Sequence, residues 1–273
     1  MTDAMAMTQT ASIRAIDVHA HVGWYRRGVN AHMDRFCSAT AKVISDRARR
    51  ARIRWTMVSP LRALLPRGHG DVLAGNEEAR KAVASTRNLL MWAVLSPHNP
   101  ASFSQVAELL TLRKCVGIKI HPEEHLYAIR REGKALFEFA ARHRAVILTH
   151  SGEKNSMPAE FVKWADRFPE VRLILGHLGC GWDGDPTHQV RAVQRSKRGH
   201  VFVDTSSAMN VTPGLIEWAV GEIGAEKVLF GTDSPCYFAP MQRARIDFAE
   251  LRDSQKRRIL VENACALFGL KKG

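Results

Sequence analysis

The sequence predicts an α/β fold: a single (β/α)8 TIM barrel with an extra C-terminal helix. Three observations predict it. The chain has 273 residues, long for an ordinary domain and normal for one such barrel. Eight short, nearly continuous apolar runs recur along it, the pattern of parallel strands covered by helices. Helical patterns lie between many of them, in crossovers long enough for right-handed βαβ units.

The runs are AIDVHAHV (15–22), WTMVSP (55–60), LLMWAVLSP (89–97), VGIKIHP (116–122), AVILTHSG (145–152), VRLILGHLG (171–179), VFVDTSS (201–207) and VLFGTDSP (228–235). The helical segment 99–114 has Asn99 as a capping candidate and Pro100 at the first helical position. Segment 133–144 repeats apolar residues every three or four positions, and 157–168 opens beside Pro158. Segment 212–224 pairs Thr212 with Pro213 and stops at Gly224. Two more helical patterns, 241–252 and 254–270, follow the last strand. No linker or change of composition divides the chain. Residues 1–12 read as a flexible leader and 13–273 as one barrel domain.

A hydrophobic content of 45% and a charged content of 25% suit a globular protein and argue against disorder. The formal net charge of +13 favours anionic partners. The basic residues cluster at 46–55, 194–200 and 254–260, mixed with apolar residues at helical spacing. That reads as three solvated helix faces, and nucleic acid is disfavoured as a partner. The five cysteines are Cys37, Cys115, Cys180, Cys236 and Cys265. Their odd number and the lack of a Cys-x-x-Cys spacing point to reduced thiols and a cytoplasmic protein. The first residues do not form a signal peptide, and no apolar run is long enough to span a bilayer.

The functional signal is in the first run. Side chains at i, i+2 and i+4 share one face of a strand, so Asp17, His19 and His21 are expected to point the same way. A charge beneath a helix is costly, which favours the barrel interior. Polar residues then recur at later strand ends: Lys119 and His121, His150, His177, Asp204 and Asp233. Side chains at one height on different strands converge on the usual active-site position of this fold. Buried neutral imidazoles need partners, and a metal cation serves several at once. Imidazole and carboxylate suit zinc or another divalent transition metal, which lowers the pKa of a bound water to about 7. Asp17 and Asp204 are expected to support the ligands from behind. The loops after the strands define the substrate pocket, bringing Trp24, Tyr25, Arg26 and Arg27, then Trp182 and Asp183, then Cys236 and Tyr237. Arg26, Arg27 and Lys119 motivate a carboxylate-bearing substrate.

The segments DVHAHV (17–22), GIKIHP (117–122), LTHSG (148–152), LGHLG (175–179), GTDSP (231–235) and ILVENACALFGL (259–270) resemble the amidohydrolase superfamily. Within it they resemble the amidohydrolase-related (amidohydrolase 2) branch of hydrolases and non-oxidative decarboxylases. The resemblance implies His19, His21, His150 and Asp233 as metal ligands, with Asp233 also the general base. It implies that His177 polarises the substrate or serves a second metal. Lys119 stands on the strand where binuclear members carry a carboxylated lysine, but its sequence context differs. One metal per chain, zinc or alternatively manganese, is therefore favoured over two. Lys119 and His121 are then expected to face the substrate, together with Arg26 and Trp182.

The expected function is metal-dependent hydrolysis of a C–N or C–O bond in a small, carboxylated molecule, through metal-activated water. A metal-dependent decarboxylase is the first rival and a metal-dependent nuclease or phosphoesterase the second. The expected partner is a small molecule, not a membrane. A homo-oligomer is compatible with the sequence.

Overall fold

The computed structural model describes residues 9–207 and 211–271. Eight parallel strands follow one another around a barrel: β1 (Ala15–Val22), β2 (Ile53–Pro60), β3 (Leu89–Val94), β4 (Cys115–Ile120), β5 (Ile147–Thr149), β6 (Leu173–Leu175), β7 (Val201–Asp204) and β8 (Val228–Leu229). The segment after β8 closes the ring on β1, with Val18 N–H donating to Phe230 O at 2.9 Å and Asp233 N–H to His19 O at 2.7 Å.

Helices cover the outside: α1 (Ala31–Phe36), α2 (Ala41–Arg50), α3 (Val72–Ser85), α4 (Ala101–Leu109), α5 (Ile129–Arg142), α6 (Pro158–Arg167), α7 (His188–Arg195) and α8 (Leu215–Ile223). After β8 come α9 (Ala239–Asp247), α10 (Asp253–Arg257), a π turn (Arg258–Glu262) and α11 (Asn263–Phe268). The C-terminal region is thus several short helices, where the periodicity suggests two longer ones. Alternation divides each strand between two cores. Leu89, Met91 and Ala93 of β3 pack under the helices. Leu90 and Trp92 point into the barrel, where Phe268 closes the floor. Asn263 secures that plug by donating to Ala225 O and Val228 O, each at 2.7 Å.

Three sequence expectations need correction. Asp17, His19 and His21 do not share one face. Ile16 and Val18 join the interior cluster, whereas Ala20 and Val22 join the outer one. The register with β2 shifts between Asp17 and Ala20, and this irregularity changes the face presented. The later strands are also shorter than their apolar runs, so His121, His150, His177 and Asp233 lie in the loops just past them. At His177 and Asp233 the backbone is left-handed, with φ of 69° and 54°, and cannot continue a strand. Finally, α4 begins after Pro100 with no side-chain cap from Asn99, and α8 begins after a left-handed Gly214 instead of at Thr212.

The periodicity reading does not delimit α1, α3 or α7. Helix α1 has no buried residue, hence no apolar face to reveal it. Helix α3 lies so close to the β2–α3 connection that a side chain at Gly75 would meet Ala63 N at 2.5 Å. The basic runs are not all solvated helix faces either. The first crosses from α2 into β2. In the last, Lys256 is buried and donates to Asp247 O at 2.9 Å. Gln9–Ser12 form a 3-10 turn, and Thr10 O accepts from Arg243 at 2.9 Å. Residues 1–8, the rest of the expected leader, lie outside the described residues. Among the described residues no helix is long and apolar enough to cross a membrane.

Candidate metal centre and substrate cavity

The strand ends surround a cavity of about 160 Å³ at the mouth of the barrel. His21, Lys119, His121, His150, His177 and Asp233 line it, beside an apolar wall of Leu61, Leu64 and Leu65. His19 lies one step deeper, with no exposed surface. Its Nδ1 donates to Asp204 Oδ2 at 2.8 Å. That bond leaves Nε2 with a free lone pair, which accepts from Lys119 Nζ at 2.8 Å and lies 3.8 Å from Asp233 Oδ1.

His21 sits on the same side. Its Nε2 is 2.9 Å from Asp233 Oδ1 and its Nδ1 is 2.9 Å from Ser59 Oγ. Donor atoms of His19, His21 and Asp233 fall within 4.8 Å of one another, as do those of His19, His177 and Asp204. In the second group, Asp204 is already occupied by His19 Nδ1 and by the backbone N–H groups of His177 and Ser206. The first group is therefore the better cation site.

Asp17 works from the other side of β1. Its carboxylate accepts from His19 N, Thr232 N and Thr232 Oγ1 at 3.1, 3.0 and 2.7 Å. It ties the backbone of His19 to the residue before Asp233. Burial pushes its carboxyl up to about 8, while those three donors pull the other way.

His177 is held by its N–H on Asp204 Oδ1 and by Ser206 Oγ on its Nδ1 at 2.8 Å. Ser206 Oγ also lies 3.1 Å from His19 Nδ1. It accepts there, so its proton goes to His177 Nδ1 and leaves His177 Nε2–H as a donor. Burial holds the imidazoles of His19, His121 and His177 well below their ordinary pKa, and they are neutral. Burial opposes ionisation of Asp233, but its bond to His21 and the surrounding imidazoles hold it well below the carboxylate range. Lys119 is fully buried, and burial brings its ammonium down to about 8.

His150 is placed differently from the expected third imidazole. Its Nε2 bonds Glu153 Oε1 at 2.7 Å, and its ring stacks on His121 at 4.4 Å. It belongs to neither compact donor group. Arg26 and Trp182 are absent from the cavity wall, because both are exposed on their loops. Trp182 instead packs against Lys154, whose Nζ is 4.7 Å from the indole centroid. Arg27, Tyr25 and Tyr237 take the places at the wall. Arg27 donates to Tyr25 Oη at 3.2 Å and lies 3.7 Å from Glu124. Sequence reasoning passes over Ser59, Ser206, Glu124 and Glu153. Ser59 and Glu153 had a usable signal: a polar residue near the end of the second run, and an acid one turn beyond His150.

The Amidohydrolase family model matches residues 16–270. Among solved structures, the chain is similar to 2,6-dihydroxybenzoate decarboxylase in complex with 2,6-dihydroxybenzoate. The TM-score is 0.74 at 13% identity, covering 93% of this chain and 98% of that one. A dihydroxybenzoic acid decarboxylase from a Polaromonas species, with bound manganese and 2-nitroresorcinol, gives 0.70 at 14%, with coverage of 95% and 98%. A probable 2-pyrone-4,6-dicarboxylic acid hydrolase from Acinetobacter baumannii gives 0.63 at 14%, with coverage of 94% and 100%. At such identities these likenesses concern the fold, whereas the family model spans almost the whole chain, strand-end histidines included: the protein belongs to the amidohydrolase family, in its amidohydrolase 2 branch.

Proposed function

We propose that this protein is a metal-dependent hydrolase acting on a C–N or C–O bond of a small, carboxylated molecule. The observation that carries the reading is the Asp233 carboxylate, ionised at the cavity wall against His21 and beside His19. The donor set fits a divalent metal ion. Two imidazoles and a carboxylate suit zinc or manganese. His19 already offers Nε2, because Asp204 holds the proton on Nδ1. His21 offers Nε2 once its proton moves to Nδ1, where Ser59 Oγ accepts it while donating to Ala20 O. His150 completes the set when it turns from Glu153. One ion per chain is the reading these donors favour, and the manganese of a structurally similar decarboxylase supports a divalent metal. When bound, the metal acts as a Lewis acid and lowers the pKa of water.

The protein's own groups supply the rest. Asp233 takes a proton from the attacking water and returns it to the leaving nitrogen or oxygen. His177 Nε2–H donates to the oxygen where negative charge develops. Arg27 and Lys119 hold the substrate carboxylate, and the Leu61–Leu65 wall packs its apolar part. The partner is thus a small molecule. Decarboxylation is the second reading, supported by the likeness to 2,6-dihydroxybenzoate decarboxylase. In it, the same ligands hold a carboxylated ring, and Lys119 supplies the proton that replaces carbon dioxide.

The test is turnover by zinc- or manganese-loaded protein on two panels, lactones and amides bearing a carboxylate, and hydroxylated aromatic acids. A new acid with its amine or alcohol supports hydrolysis, and carbon dioxide release supports the second reading. Products that still form at the same rate with Asp233→Asn overturn both.

A further inference from the structure

Two of the five cysteines meet at the rim of the cavity. Cys37 ends α1, with its N–H on Met33 O at 2.9 Å, and its side chain is buried. Cys236 stands three residues past Asp233, in the turn where Tyr237 N–H donates to Asp233 O at 3.2 Å. It is partly exposed and lines the cavity. The two thiols are hydrogen-bond partners across 198 intervening residues. Neither has a role in the reaction derived above.

We propose that Cys37 and Cys236 form a redox-modification site, closed to a disulfide by a small peroxide that enters through the cavity. Oxidation runs in two steps. The Cys37 sulfur attacks one peroxide oxygen, the O–O bond breaks, and a sulfenic acid and one water result. The Cys236 sulfur then attacks that sulfenic sulfur, and the hydroxyl leaves as a second water with the Cys236 proton. Each sulfur loses one electron and the peroxide gains two. Closure draws two sulfurs already in hydrogen-bond contact to a covalent separation of about 2.05 Å.

The pair is chemically distinct from the remaining thiols. Its hydrogen bond from Cys236 brings Cys37 down to about 7, against burial, so a thiolate is present at neutral pH. Burial pushes Cys115 and Cys180 up to about 11, and Cys265 is packed in the barrel-floor cluster. The segment that Cys37 ends also carries Tyr25 and Arg27 to the cavity wall. Its base is a two-residue bridge, Gly23 with Ala39, plus Tyr25 N–H on Ser38 Oγ at 2.8 Å. The disulfide would pin this segment to the turn that follows Asp233.

The experiment treats full-length protein with a few equivalents of hydrogen peroxide, then counts alkylatable thiols and maps cross-linked peptides by mass spectrometry. The expected result is a loss of two hydrogens, three remaining thiols, and one cross-linked pair containing Cys37 and Cys236, reversed by dithiothreitol. Cys236→Ser should trap the sulfenic acid at Cys37, read as a dimedone adduct. Five thiols still free after treatment, or a cross-link between other cysteines, would overturn the proposal. None of these readouts needs catalytic activity, so failure of the hydrolase reading would leave them interpretable.

Discussion

Asp204 and His19 meet across the barrel, the carboxylate accepting the imidazole Nδ1 proton at 2.8 Å with both side chains fully buried. That one bond decides which nitrogen of His19 looks toward Asp233. Replacing Asp204 with Asn removes the charge and lets the tautomer exchange. Divalent metal affinity should fall about 10- to 100-fold, with the fold retained. Titration calorimetry with zinc or manganese checks it, and an unchanged affinity would refute the orienting role.

Glu153 competes for His150. The bond between them is 2.7 Å and holds the Glu153 carboxyl below its usual range. If His150 completes the metal site, Glu153→Gln should tighten metal binding, by up to about tenfold for one charge-assisted hydrogen bond released. His150→Ala should weaken it. Equal affinities in all three proteins would remove His150 from the ligand set.

Lys119 is buried without a carboxylate within 4 Å among the described residues. Its folded pKa, about 8, lies below the ordinary 10.5. The unfolded chain therefore holds a proton that the folded chain lacks between those values, and metal-free stability should rise with pH through that window. Lys119→Met should abolish the slope. Below pH 8 it should also stabilise the metal-free protein, by at most about 3 kcal/mol, while lowering turnover. Denaturation in urea at pH 7 and pH 10 tests both. A destabilised Met variant at pH 7 would show that the His19 bond outweighs the burial cost.

Trp92 holds the barrel floor. It has no exposed surface, donates to Val18 O at 2.9 Å, and meets Phe268 edge-on at 5.6 Å. Trp92→Ala should cost about 3–5 kcal/mol of unfolding free energy. Trp92→Phe should cost less and leave one buried carbonyl unpaired, about 1–3 kcal/mol. The midpoint of chemical denaturation checks the order.

The sequence by itself determined the barrel and the identity of most polar groups at its mouth. Strand periodicity and the repeated run-and-loop spacing are local properties, and His19, His21, Lys119, His177, Asp204 and Asp233 all come from that pattern. Only the tertiary structure decided how those groups pair. A register shift within β1 separates Asp17 from the histidines it seemed to accompany. Short, left-handed exits from the strands aim His177 and Asp233, and a neighbouring acid draws His150 aside. Arg27 reaches the wall where Arg26 does not, and Cys37 finds Cys236. Contacts between residues far apart in sequence depend on strand register and loop course. Period-two and period-3.6 patterns carry no information about either.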